Sequence, residues 1–484
     1  MVWFFGMFGR IFVCPYGQRP CRQLGSALRH GWSQATLPAT VVVLGAAALG
    51  LVWWWDRRAG AVAGPETDVD IAPVRRWRPL AAVLAGLAGV LAGAHLMLFA
   101  PMVDDPFCAT ATRLNEAMAY PLNCDSAAFL QLAHHPTEIL QPNDARQSRP
   151  GYIALGATLT RVVGPVANAT GLTRWYGQTD SAYLPLVLIN VLLVTIAVTL
   201  LAWLLHRLHT PRWAIVALCA MVVVNDVTKP FMWTPHQQMF ALLVPVLTIT
   251  LGRWVMLARP GWPALALAGL GVGVVSLCYG SVLITVGAVT LILLGTRRWR
   301  GAPLAAAFGA AFALPTVSWI VICDAVAGSY YNYEIAVYHE FVWPKDAWHE
   351  GGLHTLRVWV HTMNVKTARE LFSIGGTALA LLVLLAAAAV LFRARLGAMS
   401  PEHRAILIPA GVTAVGAVAF CWGIGIFADR LMYHLVPALF VLAGWLAGRL
   451  HRTNWRSRLA AMLILGSITA AAVTTTLTQH GPYS

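Results

Sequence analysis

The sequence predicts an all-α, polytopic membrane protein with about 11–12 transmembrane helices. Three observations lead there. Of 484 residues, 58% are hydrophobic and 11% charged, where an ordinary soluble domain has about 25% charged residues. Twelve stretches approach the run of about 20 apolar residues that a bilayer span needs. Basic residues gather in alternate loops between those stretches. Such a composition excludes a soluble enzyme, a disordered chain and a secreted disulfide scaffold. A net charge of +14 would suggest nucleic acid in a soluble protein. In so apolar a chain it is a topology signal instead, and no nucleic-acid partner is expected.

In order, the apolar stretches are 37–55, 80–101, 182–205, 213–227, 237–256, 262–277, 280–296, 302–323, 374–392, 405–426, 431–448 and 459–476. Those at 213–227, 262–277 and 280–296 are short for a span. Ahead of them, Met1–Cys14 is apolar, but Arg10 interrupts it and no small-residue cleavage site follows, so no cleavable signal peptide is expected. No phosphate-binding loop or dinucleotide fingerprint is present. The glycines lie scattered through apolar helices, where they serve helix packing.

Placing 56–79 inside and alternating puts 19 basic and 5 acidic residues in the inside loops. The outside loops then hold 11 basic and 15 acidic residues. Positive charge resists translocation, which favours this orientation in a cytoplasmic (inner) membrane. Arg10, Arg19, Arg22 and Arg29 are the exception, because they would lie outside. Three readings stay open there: 37–55 does not span, 1–36 lies along the interface, or translation starts further on. Two outside loops are long, 102–181 and 324–373, and they hold 13 of the 20 acidic residues.

Within the first loop, Ser126 to Ala133 suits a short helix with Phe129, Leu130 and Ala133 on one face. Asp125 stands where a capping residue would. Tyr152 to Val166 forms a second apolar helix, interrupted by Arg161, and is expected to lie on the membrane surface. Asp104 and Asp105 follow the 80–101 helix at the lipid–water boundary.

Asp125, Phe129, Leu130 and Ala133, then Arg146, Arg149, Pro150 and Tyr152, resemble a pattern of the GT-C superfamily of integral membrane glycosyltransferases. Arg430, Tyr433 and Pro437, with His434, resemble the Arg–aromatic–Pro entry to a late helix in many members. The order of helices and loops is also similar: seven helices from 80–101 onward, with long outside loops after the first and the seventh. The resemblance covers roughly 80–448 and implies a seven-helix module at 80–323. An N-terminal extension at 1–79 precedes it, and 324–484 carries the second outside loop and the C-terminal helices. It also implies inverting transfer of a sugar from a polyprenyl-phosphate carrier to a lipid, glycan or protein acceptor on the extracytoplasmic face.

Such a transfer needs a carboxylate to take the acceptor's proton and cations beside the membrane to hold the leaving phosphate. Asp125 is the first candidate base, and a helix cap is its other reading. Asp104 and Asp105 are alternatives. Paired carboxylates also suit a divalent cation, and no metal or other cofactor is committed. Arg146, Arg149 and Arg430 are candidate phosphate ligands, or else contacts to membrane lipids. Tyr152, Lys229, His236, Tyr433 and His434 complete the candidate binding set. The aromatics of Tyr338-His339-Glu340 and of the run from Trp343 to His349 suit stacking on a sugar, but anchoring at the membrane interface is the favoured reading. His339, His349, His354 and His361 make no recognisable metal spacing. Among eight cysteines, Cys108 and Cys124 share the first outside loop, where an oxidising compartment would allow a disulfide.

Two other classes remain in view. A transporter or flippase would suit twelve helices but calls for charged residues inside them, and almost none are found. A lipid-linked oligosaccharide polymerase or ligase also carries large outside loops.

Overall fold

The computed structural model describes residues 78–98, 110–113, 119–123, 125–392, 399–425 and 430–478. The predicted helix at 37–55, the carboxylates Asp104 and Asp105, and the Cys108–Cys124 pair lie outside the described residues. Eleven of the twelve predicted stretches fall within them, and each is a helix. These are α1 (Pro79–Leu96), α4 (Tyr183–Arg207), α5 (Arg212–Val223), α6 (Phe240–Ala258), α7 (Trp262–Ser276), α8 (Leu283–Arg297), α9 (Gly301–Ala327), α12 (Gly376–Leu391), α13 (Pro401–Ile424), α14 (Leu435–Thr453) and α15 (Trp455–Thr478). The first outside loop adds α2 (Asp125–His134) and α3 (Pro150–Ala169). The second adds α10 (Tyr333–Tyr338) and α11 (Trp343–Ser373).

By length and composition, seven helical runs among the described residues can cross a membrane, or eight if a bent pair counts as one span. That is fewer than expected from the apolar stretches. The reasons are local. Helix α5 has 12 residues, about 18 Å at 1.5 Å per residue, because the chain turns extended at Val224 and is then held by Asn225. Helix α6 starts at Phe240 instead of 237, since a 3-10 turn at Gln237–Met239 precedes it. One 48-residue apolar run, Gly280–Ala327, contains both α8 and α9, broken at Arg298 with φ 51°. Helix α13 starts earlier than expected: Ser400 Oγ accepts the amide of His403 at 3.1 Å, and Pro401 occupies the first helical turn.

Burial identifies the centre of the bundle. In Arg430–Thr453, 89% of the best apolar window is enclosed, against 17% in Trp455–Leu477. Helices α4, α6 and α13 pack around α14, while α7 and α9 lie together at one side. Helices α7 and α9 approach closely because Gly269 and Gly273 present no Cβ: one built at either would collide with the carbonyl of Phe308 or Phe312. This is the small-xxx-small contact of membrane helices.

The long loops are more ordered than their sequence suggests. In the first, a hairpin pairs Thr110–Arg113 with Ala119–Leu122, register Thr110↔Leu122. Its Tyr120 is fully buried and stacks on Tyr183 at 5.9 Å. In the second, α11 is a charged helix of 31 residues, interrupted at Gly351 and Gly352.

Candidate functional site

One cavity, of about 190 Å³, is lined by both outside loops. The first loop contributes Asp125, Arg146 and Arg149; the second contributes Tyr333, Glu334, Tyr338 and Glu340. His236, Gln237, Gln238, Tyr279 and Arg430 complete the wall.

Asp125 is the first residue of α2, and its amide donates to Asn123 Oδ1 at 2.9 Å. Its own carboxylate is engaged by other groups. Arg146 Nη2 donates to Oδ1 at 2.5 Å, and His236 Nε2 stands 3.4 Å from Oδ2. The second contact has a defined polarity. The Gln238 amide donates to His236 Nδ1 at 3.0 Å, which leaves the ring proton on Nε2, facing Asp125. Burial pushes the Asp125 carboxyl up, but the approach of His236 Nε2 and the Arg146 charge outweigh it and hold it well below the usual carboxylate range. Burial likewise depresses His236, to about 3, against the opposing pull of Asp125. The pair at neutral pH is therefore carboxylate and neutral imidazole.

His236 is placed by an unusual piece of chain. Between α5 and α6, residues 224–239 have little regular helix yet are almost wholly buried. Buried non-helical backbone needs its polar groups satisfied by the protein. Asn190 of α4 does much of this: its Nδ2 donates to the carbonyls of Phe231, Met232 and Thr234 at 3.0, 3.3 and 2.8 Å. Tyr183 Oη donates to the carbonyl of Trp233 at 2.8 Å, and Trp233 Nε1 to that of Ala94 at 2.9 Å.

The second loop docks through Gln147, which is fully buried. Gln147 Oε1 accepts the Tyr331 amide at 2.9 Å, and its carbonyl accepts Trp319 Nε1 at 2.7 Å. Beside it, Glu334 pairs with Arg149 and accepts from Ser148 Oγ at 2.9 Å. Glu340 lines the same cavity. Burial, then the charge of Glu334, pushes its carboxyl up to about 7, against the attraction of Arg149 and Arg430. Arg430 lies over the Phe231 ring at 5.6 Å, and among the described residues no carboxylate stands within ion-pair distance of it.

The structure thus brings Asp125, Arg146, Arg149, His236 and Arg430 to one cavity. Tyr152, Lys229, Tyr433 and His434 lie off it. Tyr152 is buried against Phe129 at 5.0 Å. Lys229 Nζ donates to the carbonyl of Thr476 at 2.6 Å, tying this segment to α15. Tyr433 Oη donates to the carbonyl of Met221 at 3.3 Å, and His434 Nε2 lies 2.7 Å from Ser281 Oγ. Sequence reasoning missed Glu334, and took Tyr338 and Glu340 for interface anchors. The one available signal was the concentration of acidic residues in the two loops. Among the described residues no group of three or more His, Cys, Asp or Glu is placed to hold a metal ion.

No family model matches the chain, and no curated protein sequence matches it. Among solved structures it is similar to the archaeal oligosaccharyltransferase AglB from Archaeoglobus fulgidus in complex with an inhibitory peptide and a dolichol-phosphate. There the identity is 14%, the match covers 82% of this chain and 55% of that one, and the TM-score is 0.45. It is similar also to the Archaeoglobus fulgidus oligosaccharyltransferase in the apo form, at 13% identity, 84% and 56% coverage and TM-score 0.45. The chain spans about half the length of these proteins.

Proposed function

We propose that this protein is a membrane glycosyltransferase that takes a sugar from a polyprenyl-phosphate carrier at the extracytoplasmic face and passes it to a hydroxyl-bearing acceptor with inversion. The observation that carries this reading is the convergence of Asp125 with Arg146, Arg149 and Arg430, from separate segments, around one cavity. The resemblance of the 125–152 pattern to GT-C enzymes supports the same assignment.

In this reading the acceptor oxygen attacks the anomeric carbon as the bond from that carbon to the phosphate oxygen breaks. The acceptor's proton passes to the Asp125 carboxylate, and the phosphate leaves with the electron pair. A carboxylate held so low is a weak base, so the proton moves late, after the acceptor oxygen has gained positive character. Its value lies in being ionised and fixed, with His236 and Arg146 setting its direction. Arg430 is the natural ligand for the leaving phosphate, since its charge has no carboxylate partner among the described residues and a guanidinium suits phosphate oxygens.

A membrane assay with a panel of radiolabelled polyprenyl-phosphate sugars tests it. The intact protein should transfer one of them, and Asp125→Asn should reduce the rate by about 10²–10⁴-fold, the usual worth of a general base. Arg430→Gln should raise the donor KM. Full transfer by a stably expressed Asp125→Asn variant would remove Asp125 from this role.

A further inference from the structure

A second polar cluster lies away from the cavity, where residues 208–211 meet the start of α13 and the end of α14. His209 and His403 pack edge to face, with ring centroids 5.6 Å apart. The charges of Arg449 and Arg452 reach both rings. Glu402 is the neighbouring carboxylate, but Arg207 and Arg253 both take its Oε1 at 2.8 Å. Among the described residues Arg449 and Arg452 have no carboxylate within ion-pair distance, and the charge of Glu402, which reaches His403, is already shared with two other arginines.

His209 and Arg452 are exposed, and Arg452 Nε donates to the carbonyl of Gly448 at 3.1 Å, but three other polar atoms of the cluster are unspent. His403 is 7% exposed and Thr210 is 6% exposed. His403 Nδ1, Thr210 Oγ1 and Arg449 Nε are each buried with no hydrogen-bond partner among the described residues. Simple enrichment of arginine at one end of a bundle accounts for the charge. It does not account for three buried polar atoms without partners, which native structures rarely leave unmatched. An oxyanion would satisfy both deficits, and arginine forks suit a phosphate best.

We propose that this junction is a phosphate-binding site, formed by His209, Thr210, His403, Arg449 and Arg452, which takes the headgroup phosphate of an anionic phospholipid. The tryptophan surroundings favour a lipid over a free ion. Trp445, itself buried, lies beneath Arg449 at 5.7 Å and Trp203 beneath Arg253 at 4.9 Å, and tryptophan is enriched where a membrane meets water. Basic pockets between membrane helices are known headgroup sites. The site is independent of the sugar-transfer reading.

The test uses the full chain purified in neutral detergent, titrated with phosphatidylglycerol, phosphatidylcholine or inorganic phosphate while thermal unfolding is followed. Phosphatidylglycerol should raise the midpoint by several degrees and phosphatidylcholine should not. The double variant Arg449→Gln/Arg452→Gln should lose that shift. A shift from inorganic phosphate alone keeps the site and assigns it to the free ion. Equal shifts in wild type and variant, or none with any phosphate compound, would overturn the site. Photo-crosslinking of a headgroup-diazirine phosphatidylglycerol to the wild type does not depend on the variant folding. Label should fall on peptides bearing residues 209, 403 or 449–452, suppressed by excess phosphatidylglycerol. Label spread without preference for those peptides would also refute the proposal.

Discussion

Of the three carboxylates that line the cavity, Asp125 and Glu340 respond to it in opposite ways. Asp125 is pinned as an anion by a neutral imidazole and a guanidinium, whereas Glu340, buried and facing Glu334, is pushed up to about 7. Below about pH 7 Glu340 is neutral and leaves Arg149 and Arg430 more attractive to phosphate. As pH rises through that value its new charge competes for the same cations. Donor affinity should therefore be highest below pH 7 and fall above it, and Glu340→Gln should flatten the profile of donor KM against pH. A wild-type KM that stays level from pH 6 to 8.5 would contradict this. The stability sign agrees. The folded pKa lies above the ordinary 4.5, so the protonated form's contribution is full below 4.5 and is lost as pH rises through 7. The contrast also explains what a reader of the sequence sees. Asp125, Arg146 and Arg149 fall within one local pattern, and Arg430 is conspicuous as a basic residue at a helix start. Glu334 meets Ser148 across 186 residues, and no local pattern reports so distant a contact.

At the scale of elements, the spanning helices were legible because each is an apolar run, whereas the charged α11 was not. The segment 224–239 was legible only as a break: the apolar stretches end at 227 and resume at 237, and Lys229 and His236 between them suit a short outside loop. Its burial was not legible, because the contacts that bury it come from other helices. What keeps this backbone out of a helix and out of water is largely Asn190. Its single amide serves three carbonyls, and that of Phe231 also accepts from the Thr234 amide at 3.4 Å. Asn190→Leu keeps the shape and removes the donor, so it should destabilise by about 1–3 kcal/mol, the cost of unsatisfied buried acceptors. The melting midpoint in detergent should fall. Sugar transfer should fall further than lost folding explains, because His236 rides on this segment. An unchanged midpoint would mean that the carbonyls find other partners and that Asn190 does not position the histidine.

For the whole molecule, the decisive question is which side of the membrane holds the cavity. Arg207, Arg253 and Glu402 come from, or border, three loops that charge alone assigns to the inside, and in the structure they meet in one cluster. The residues assigned to the outside loops meet instead around Asp125. Helix α9 separates two such features: Arg298-Trp299-Arg300 precede it, and Trp319, near its far end, bonds to Gln147 of the first outside loop. Its 27 residues extend about 40 Å, enough to cross a bilayer. Trp299 and Trp348 are exposed, at 89% and 55%, and each can be replaced by cysteine in turn. With an impermeant maleimide, Trp348→Cys should label in intact cells and Trp299→Cys only after permeabilisation, each measured above the unsubstituted parent because eight native cysteines are present. The reverse pattern would put the cavity on the cytoplasmic side. It would also turn the net charge of +14 into an exception to the rule that arginine resists translocation, and a carrier-bound donor at the outer face would no longer reach Asp125.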